Sequence, residues 1–246
     1  MQSFKIAHRL ISSGKALDAS RVAFVPAKST DLPEIVELCV SRFIQIEPHI
    51  KALGLSRQEA APIFELIGGN SLRFPYSYKL VDQESNELVG FRLFSIGERG
   101  AKADDEEIDL SHFSQKLLAF AEVLDRLKGE TFEKLPHINK MLRREITFVV
   151  PEFQRQGIAN RLAHYGLDFD QLKADGVQGL VSEASSLANQ SLLEKKGYRM
   201  VAQVPQSVYD RLGIKMHDGT TAMKSFFREI DAVAADVRLE RKSDFF

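Results

Sequence analysis

The stretch Phe148-Val149-Val150-Pro151-Glu152-Phe153-Gln154-Arg155-Gln156-Gly157-Ile158-Ala159-Asn160-Arg161-Leu162 decides how this chain is read. Ile146, Phe148 and Val150 alternate with other residues as a strand does, and the strand runs into a turn from Pro151 to Gly157. Ile158 and Leu162 then open an apolar helical face. The first N–H groups of a helix have no intrahelical partner and carry partial positive charge, so they bind phosphate oxygens. Gly157 has no β-carbon, which lets a pyrophosphate come close to the backbone. Ala159 keeps the first helical turn small, and Arg155 adds a mobile positive charge at the rim. A glycine turn before a helix is common in α/β proteins, so the turn alone is also compatible with a purely structural bend.

Downstream, the helix is expected to continue through Tyr165, Phe169 and Leu172, with Gly176 beyond its end. Val177 to Val181 reads as a strand and Leu187 to Lys196 as a helix stopped by Gly197. Tyr198 to Val204 is a strand again, and Thr220 to Phe227 is a last strand after the loop Pro205 to Gly219. This alternation predicts neighbouring parallel strands joined by crossovers.

Upstream, Arg21 to Pro26 alternates as a strand, and Asp31, Pro33 and Glu34 mark a helix start. The apolar face of that helix includes Cys39, which therefore reads as a core thiol. A second helix, Arg57 to Leu66, is expected to stop at Gly68-Gly69-Asn70. Ser77 to Val81 and Leu88 to Ile96 read as an antiparallel hairpin. The acidic stretch Asp104 to Asp109 reads as a solvated linker and helix start. Phe113, Leu117, Phe120, Leu124 and Leu127 form one face of a helix that Gly129 is expected to end.

With 246 residues, 44% hydrophobic and 27% charged, the chain is long enough to bury a large core without metal or disulfide. The formal net charge of -1 gives no indication of a nucleic-acid or membrane-surface partner. A single cysteine excludes an internal disulfide and suits a reducing compartment. No apolar run approaches the roughly 18 residues of a membrane span. Residues 1–20 carry Lys5, Arg9 and Lys15 with no acid before Asp18; they read as an arm before the first strand, with mitochondrial import as the lesser alternative to a cytoplasmic protein. The expected division is an arm at 1–20, one domain at 21–230 and a tail at 231–246. The six histidines show no metal-ligand spacing, no metal is expected, and His217-Asp218-Gly219 reads as a turn.

Gln154-Arg155-Gln156-Gly157-Ile158-Ala159 resembles the Q/R-x-x-G-x-G/A signature of the Gcn5-related N-acetyltransferases (GNAT). The strand, helix, Gly197-Tyr198 pair and strand that follow fit the same family. The resemblance implies a single α/β domain with a mixed, mostly antiparallel central sheet, splayed at an acetyl-CoA site and flanked by helices. It implies that Gln154, Arg155, Gln156, Gly157, Ile158 and Ala159 hold the pyrophosphate of acetyl-CoA. Phe148, Val149 and Val150 would pair with the pantetheine through free backbone groups, one of which could also polarise the thioester carbonyl.

Phe43-Ile44-Gln45-Ile46-Glu47-Pro48 is further similar to the Phe…Glu-Pro segment of the insect and nematode arylalkylamine N-acetyltransferases. A long helical insertion before the acetyl-CoA strand, which Ser111 to Met141 resembles, belongs to the same likeness. By this resemblance Glu47 is the general base, against a plain reading in which it sits at a solvent-facing helix exit. Ser185 and Ser186 match a serine pair proposed to move protons, although Ser186 also reads as a helix N-cap. Asn189, carried among the cofactor-binding candidates, stands where the family has a further serine, which puts a two-serine relay in doubt. Leu193 replaces the tyrosine acid of many GNAT enzymes. The expected reaction is acetyl transfer from acetyl-CoA to a small-molecule arylalkylamine. The alternatives are a polyamine, amino-acid or protein-amine acylase, or an acyl-CoA-binding module without turnover.

Overall fold

The computed structural model describes residues 18–100, 111, 113–217, 219–220 and 222–243. The arm up to residue 17, the acidic stretch Asp104 to Asp109 and Asp218 of the expected turn lie outside the described residues. The strands are β1 Val22–Pro26, β2 Tyr78–Asp82, β3 Leu88–Glu98, β4 Lys140–Val149, β5 Gly179–Ala184, β6 Arg199–Gln203 and β7 Lys224–Glu229. The helices are α1 Leu32–Ser41, α2 Pro48–Leu53, α3 Arg57–Ser71, α4 Gln115–Lys134, α5 Ile158–Leu162, α6 Phe169–Ala174, α7 Leu187–Lys195, α8 Gln206–Leu212 and α9 Ile230–Ser243. No helix among the described residues is long and apolar enough to cross a membrane.

The strands form one sheet in the order β1-β2-β3-β4-β5-β7-β6, with β4 and β5 parallel and the other pairs antiparallel. Consecutive strand residues point to opposite faces. Leu93, Ile146 and Phe148 belong to the core under α1, α3 and α4. Phe94, Leu142, Leu180 and Phe226 belong to the core over α6, α7 and α9. Cys39 is buried in the first of these, and burial pushes its thiol well above the ordinary cysteine range, as a core residue requires.

The expected parallel neighbours β5 and β6 are separated by β7, which pairs antiparallel with both. Phe226 and Phe227 are both fully buried, so β7 needs cover on both faces and takes an interior position. The strand β6, with Met200 half exposed, is left at the edge.

Two expected helix stops do not act. The helix α3 runs through Gly68-Gly69, because Gly68 lets it approach α1: a β-carbon there would lie 2.7 Å from Leu32 Cδ1. The helix α4 likewise continues past Gly129, since Thr131 beyond it is buried and packing outweighs the roughly 1 kcal/mol that glycine costs in a helix. The loop after Pro205 contains α8. The segment set apart as a tail is, through Ser243, the helix α9, whose Val233, Ala234 and Val237 are buried.

The helix expected to run from Ile158 to Leu172 is broken in two. Arg92, fully buried on β3, donates to the carbonyls of Leu162 and Tyr165, acceptors that a continuous helix would have used, and to that of Tyr76. Gly166 then turns the chain at φ 69°, and a β-carbon on it would lie 2.2 Å from Tyr78 Oη. Gly166→Ala therefore combines left-handed strain of about 1–2 kcal/mol with a clash against a ring that is packed on Tyr165 and Arg92. The expected result is a lower urea midpoint, with a total loss of about 2–4 kcal/mol. An unchanged midpoint would show that the break does not depend on the glycine.

Candidate active site

The site begins where the sheet opens. The strands β4 and β5 pair from Met141↔Gly179 to Arg144↔Ser182, after which β4 runs on to Val149 beside β3. Along β3, Leu93 faces Ile146 and Phe94 faces Arg144, so Glu145 is an extra residue on β4. Such a bulge bends its strand and ends regular pairing. The Glu145 carboxylate accepts from Ser95 Oγ at 2.6 Å and Lys128 Nζ at 3.1 Å, and Arg143 lies beside it. Burial opposes the charge of Glu145, but Lys128, Arg143 and the Ser95 hydroxyl win and hold it below the usual carboxylate range. On the opposite face the buried Arg144 donates from Nε to Ser182 Oγ at 3.2 Å and from Nη2 to Asn189 Oδ1 at 2.7 Å. The Asn189 side chain is thus turned to Arg144.

The open edge is narrower than the sequence suggests. Val150 N–H donates to Val89 O at 2.9 Å, and Phe148 pairs with Phe91 two residues back in the same register. Antiparallel pairing alternates, so Phe148 and Val150 turn their backbone groups to β3, while Val149 and Thr147 turn theirs away from it, toward the opening. Of the three expected strand residues only Val149 presents its N–H and carbonyl there, and Gln154 Nε2 donates to that carbonyl at 2.6 Å.

The turn after β4 has Arg155 at φ 62° and Gly157 at φ 79°, with Arg155 exposed. A β-carbon built on Gly157 meets nothing within 4 Å, so the surface is open for a ligand to reach the backbone. Ile158 is buried in the main core and fixes the start of α5, while Ala159 is half-buried. Gln156 Oε1 accepts the Ala19 N–H at 2.8 Å, which makes Ala19, expected in the arm, part of the rim of this turn.

The segment bearing Glu47 is fastened to the same place. Arg42 Nη2 donates to both Glu152 carboxylate oxygens, at 2.6 and 2.8 Å, at the start of the turn. The Phe43 ring packs 5.5 Å from that of Phe148 on β4 and 5.9 Å from Phe64 on α3. Glu47 is 4% exposed, so it is not a solvent-facing helix exit. It is the N-cap of α2, with Oε2 accepting the Ile50 N–H at 2.6 Å. Its Oε1 lies 3.2 Å from Nδ1 of the fully buried His49, and His49 Nε2 lies 3.0 Å from Tyr209 Oη. Tyr209 Oη in turn accepts the Met223 N–H at 2.8 Å. Burial and the charge of Glu47, opposed by that N–H, push the Tyr209 phenol up to about 12, so it keeps its proton.

Ser186 caps α7, accepting the Asn189 N–H at 3.3 Å, and Ser185 is half-buried at the end of β5. Leu193 is buried in the core under α7. Sequence reasoning missed Arg42, Arg144, His49 and Tyr209. His49 follows Glu47 by two positions and could have been found from the Glu47-Pro48-His49 run. Tyr209 is 160 residues away in what read as a loop, and nothing local marked it.

No family model and no curated protein matches this chain. Solved structures do. Arylalkylamine N-acetyltransferase 2 from Aedes aegypti superposes with a TM-score of 0.68 at 16% identity, covering 85% of this chain and 99% of the other. A Drosophila melanogaster polyamine N-acetyltransferase that forms N-acetylagmatine gives a TM-score of 0.68 at 12% identity, with the same coverages. The C-terminal condensation domain of Ebony, in complex with beta-alanyl-dopamine, gives 0.62 at 15% identity, covering 85% and 98%. The bulged and opened sheet, the glycine turn after β4 and these superpositions agree: the chain has the GNAT fold.

Proposed function

We propose that this chain acetylates a primary arylalkylamine, with acetyl-CoA as the acyl donor. The observation that carries the reading is Glu47: a buried carboxylate, fixed by hydrogen bonds, on a segment tied to β4 and its turn through Arg42 and Phe43. Acetyl-CoA would supply the acetyl group as a thioester. The open surface at Gly157 suits its pyrophosphate, with Gln154 to Ala159 around it, and the Val149 and Thr147 edge suits its amides. Asn189, whose oxygen is committed to Arg144, leaves only its amide nitrogen for that ligand.

An alkylammonium titrates near 10.4, so at neutral pH it must lose a proton before it can attack. Glu47 accepts that proton, directly or through one water. A backbone N–H on the open edge of β4 steadies the negative charge that develops on the carbonyl oxygen. Ser185 and Ser186 are the side-chain candidates for returning a proton to the leaving thiolate, since Ser186 accepts the Asn189 N–H and keeps its own hydroxyl proton. Alignment of the two substrates supplies much of the acceleration. The reducing cytoplasm is the setting this chemistry and the buried Cys39 suit.

An aromatic monoamine is favoured over a polyamine by the company Glu47 keeps. Phe43, Phe64, Phe120, Phe148 and Tyr209 pack around its segment and its partner His49. Of the buried acids on the sheet, Glu145 is already matched by Lys128 and Arg143. In a CoA-release assay, dopamine, serotonin or tyramine should give a higher kcat/KM than spermidine, lysine or peptides. A preference for spermidine would overturn the aromatic reading, and no turnover with any amine would leave an acyl-CoA-binding module.

Gly157→Val should weaken acetyl-CoA binding at least tenfold, since the branched side chain fills the open approach. Its left-handed backbone adds about 1–2 kcal/mol of strain, which a domain of this size can bear. Wild-type affinity by calorimetry in the folded variant would remove the turn from the cofactor site.

Glu47→Gln should lower kcat by about 10²–10⁴-fold and leave acetyl-CoA affinity nearly unchanged. Glutamine keeps a side-chain oxygen for the Ile50 N–H, so the cap survives while the proton acceptor is lost. The residual rate should rise with pH toward the pKa of the amine. A variant with the wild-type rate and pH profile would leave Glu47 as a cap alone.

A further inference from the structure

We propose that His49, held in one tautomer by Tyr209, is the positioning residue for the Glu47 base, an inference that rests on the amine-acetylation reading above. The argument is a proton count. Tyr209 Oη already accepts the Met223 N–H, and its own proton has His49 Nε2 as an acceptor 3.0 Å away. With Nε2 as that acceptor, a His49 ring carrying one proton has it on Nδ1, facing Glu47 Oε1 at 3.2 Å. Ile50 N–H takes the other carboxylate oxygen at 2.6 Å. Each oxygen of Glu47 thus receives one N–H donor, and both donors favour the ionised, proton-accepting form.

The arrangement also fixes where Glu47 points. Its cap bond alone leaves the carboxylate free to turn about that contact; the second donor removes this freedom. His49 cannot itself turn away, because its ring lies between Phe120 of α4, 6.1 Å away, and Tyr209 of α8, 5.6 Å away. Among the described residues, the titratable groups hydrogen-bonded in line with Glu47 are His49 and, beyond it, Tyr209. The strand β7 approaches through the Met223 N–H that precedes it, and α4 presents the uncharged Phe120. Of the charged side chains on the neighbouring helices, Lys116 donates to Gly54 O at 3.3 Å and exposed Glu122 pairs with exposed Arg211. No other part of the proposed mechanism uses His49 or Tyr209, yet both are buried, polar and hydrogen-bonded in line with the base.

The test compares the acid limb of the kcat/KM profile, at saturating acetyl-CoA, in wild type, His49→Leu, His49→Asn, Tyr209→Phe and Glu47→Gln. Loss of the Nδ1–H donor makes Glu47 easier to protonate, so the limb in His49→Leu should move up by about one pH unit, with KM for acetyl-CoA unchanged. His49→Asn, whose amide can set a donor near the Nδ1 position, should bring the limb back toward wild type. Tyr209→Phe keeps the ring packing and releases the tautomer, and should move the limb in the same direction as His49→Leu. If His49→Leu does not fold, Tyr209→Phe decides by itself. An acid limb that stays in place in the folded variants, whatever happens to the rate, makes His49 a core filler and overturns the inference. If that limb stays while Glu47→Gln still loses the rate, the proposed reaction stands without His49. If Glu47→Gln keeps the wild-type rate and limb, the base assignment and this inference fall together.

Discussion

One residue too many on β4 governs this molecule. The register against β3 admits Arg144 and Ile146 and leaves Glu145 over. From that point β4 follows β3 and parts from β5, its only parallel partner. Past the bulge the outward backbone groups of Thr147 and Val149 are not paired with β5, which ends at Ala184. The bulge is held open from both faces: Glu145 is clamped by Ser95 and Lys128 on one, and Arg144 binds Ser182 and Asn189 on the other. Buried ion pairs of this kind are weak sources of stability, but removing one partner strands the other charge, which makes the geometry hard to change piecemeal.

The face opposite Glu47 is built around buried cations. Arg92 and Arg144 are almost fully buried, and burial lowers both guanidinium groups from the ordinary arginine range. Arg92 donates from its two terminal nitrogens to three backbone carbonyls and lies over the rings of Tyr78 and Phe94. His164 sits among these charges and is held down to about 3 by burial and the nearby Lys196, Arg144, Arg92 and Arg228, so it stays neutral and pairs with Tyr198 Oη at 2.9 Å. This group gives the break between α5 and α6 its physical cause and keeps α5 short. A short α5 holds the glycine turn close to the sheet opening.

On the other face of the sheet Glu47 ties down its own loop. Its carboxylate caps α2, so the loop that carries it cannot shift without losing the helix start. Arg42 with Glu152 and Phe43 with Phe148 fix the distance between this loop and the end of β4. The Glu47 loop, the edge of β4 and the turn after it are therefore fastened to one another.

The sequence by itself determined the strand, glycine turn and helix start at Phe148 to Leu162, because local φ preference and apolar period settle such a unit within a few residues. It also determined the hairpin before it, the core character of Cys39, and the candidacy of Glu47 through the resemblance of its Phe…Glu-Pro segment. Tertiary structure decided what depends on distant partners. It placed β7 between β5 and β6 because two adjacent phenylalanines both required cover. It overrode the glycine stops at Gly68 and Gly129, where packing outweighed local propensity, and broke the helix after Leu162 because Arg92, some seventy positions earlier, claimed its carbonyls. It turned Phe148 and Val150 to β3 and left Val149 for the opening, a choice of pairing register that no strand can make without its neighbour. And it joined Glu47 to His49 and Tyr209, since a hydrogen bond across 160 residues leaves no trace in local pattern.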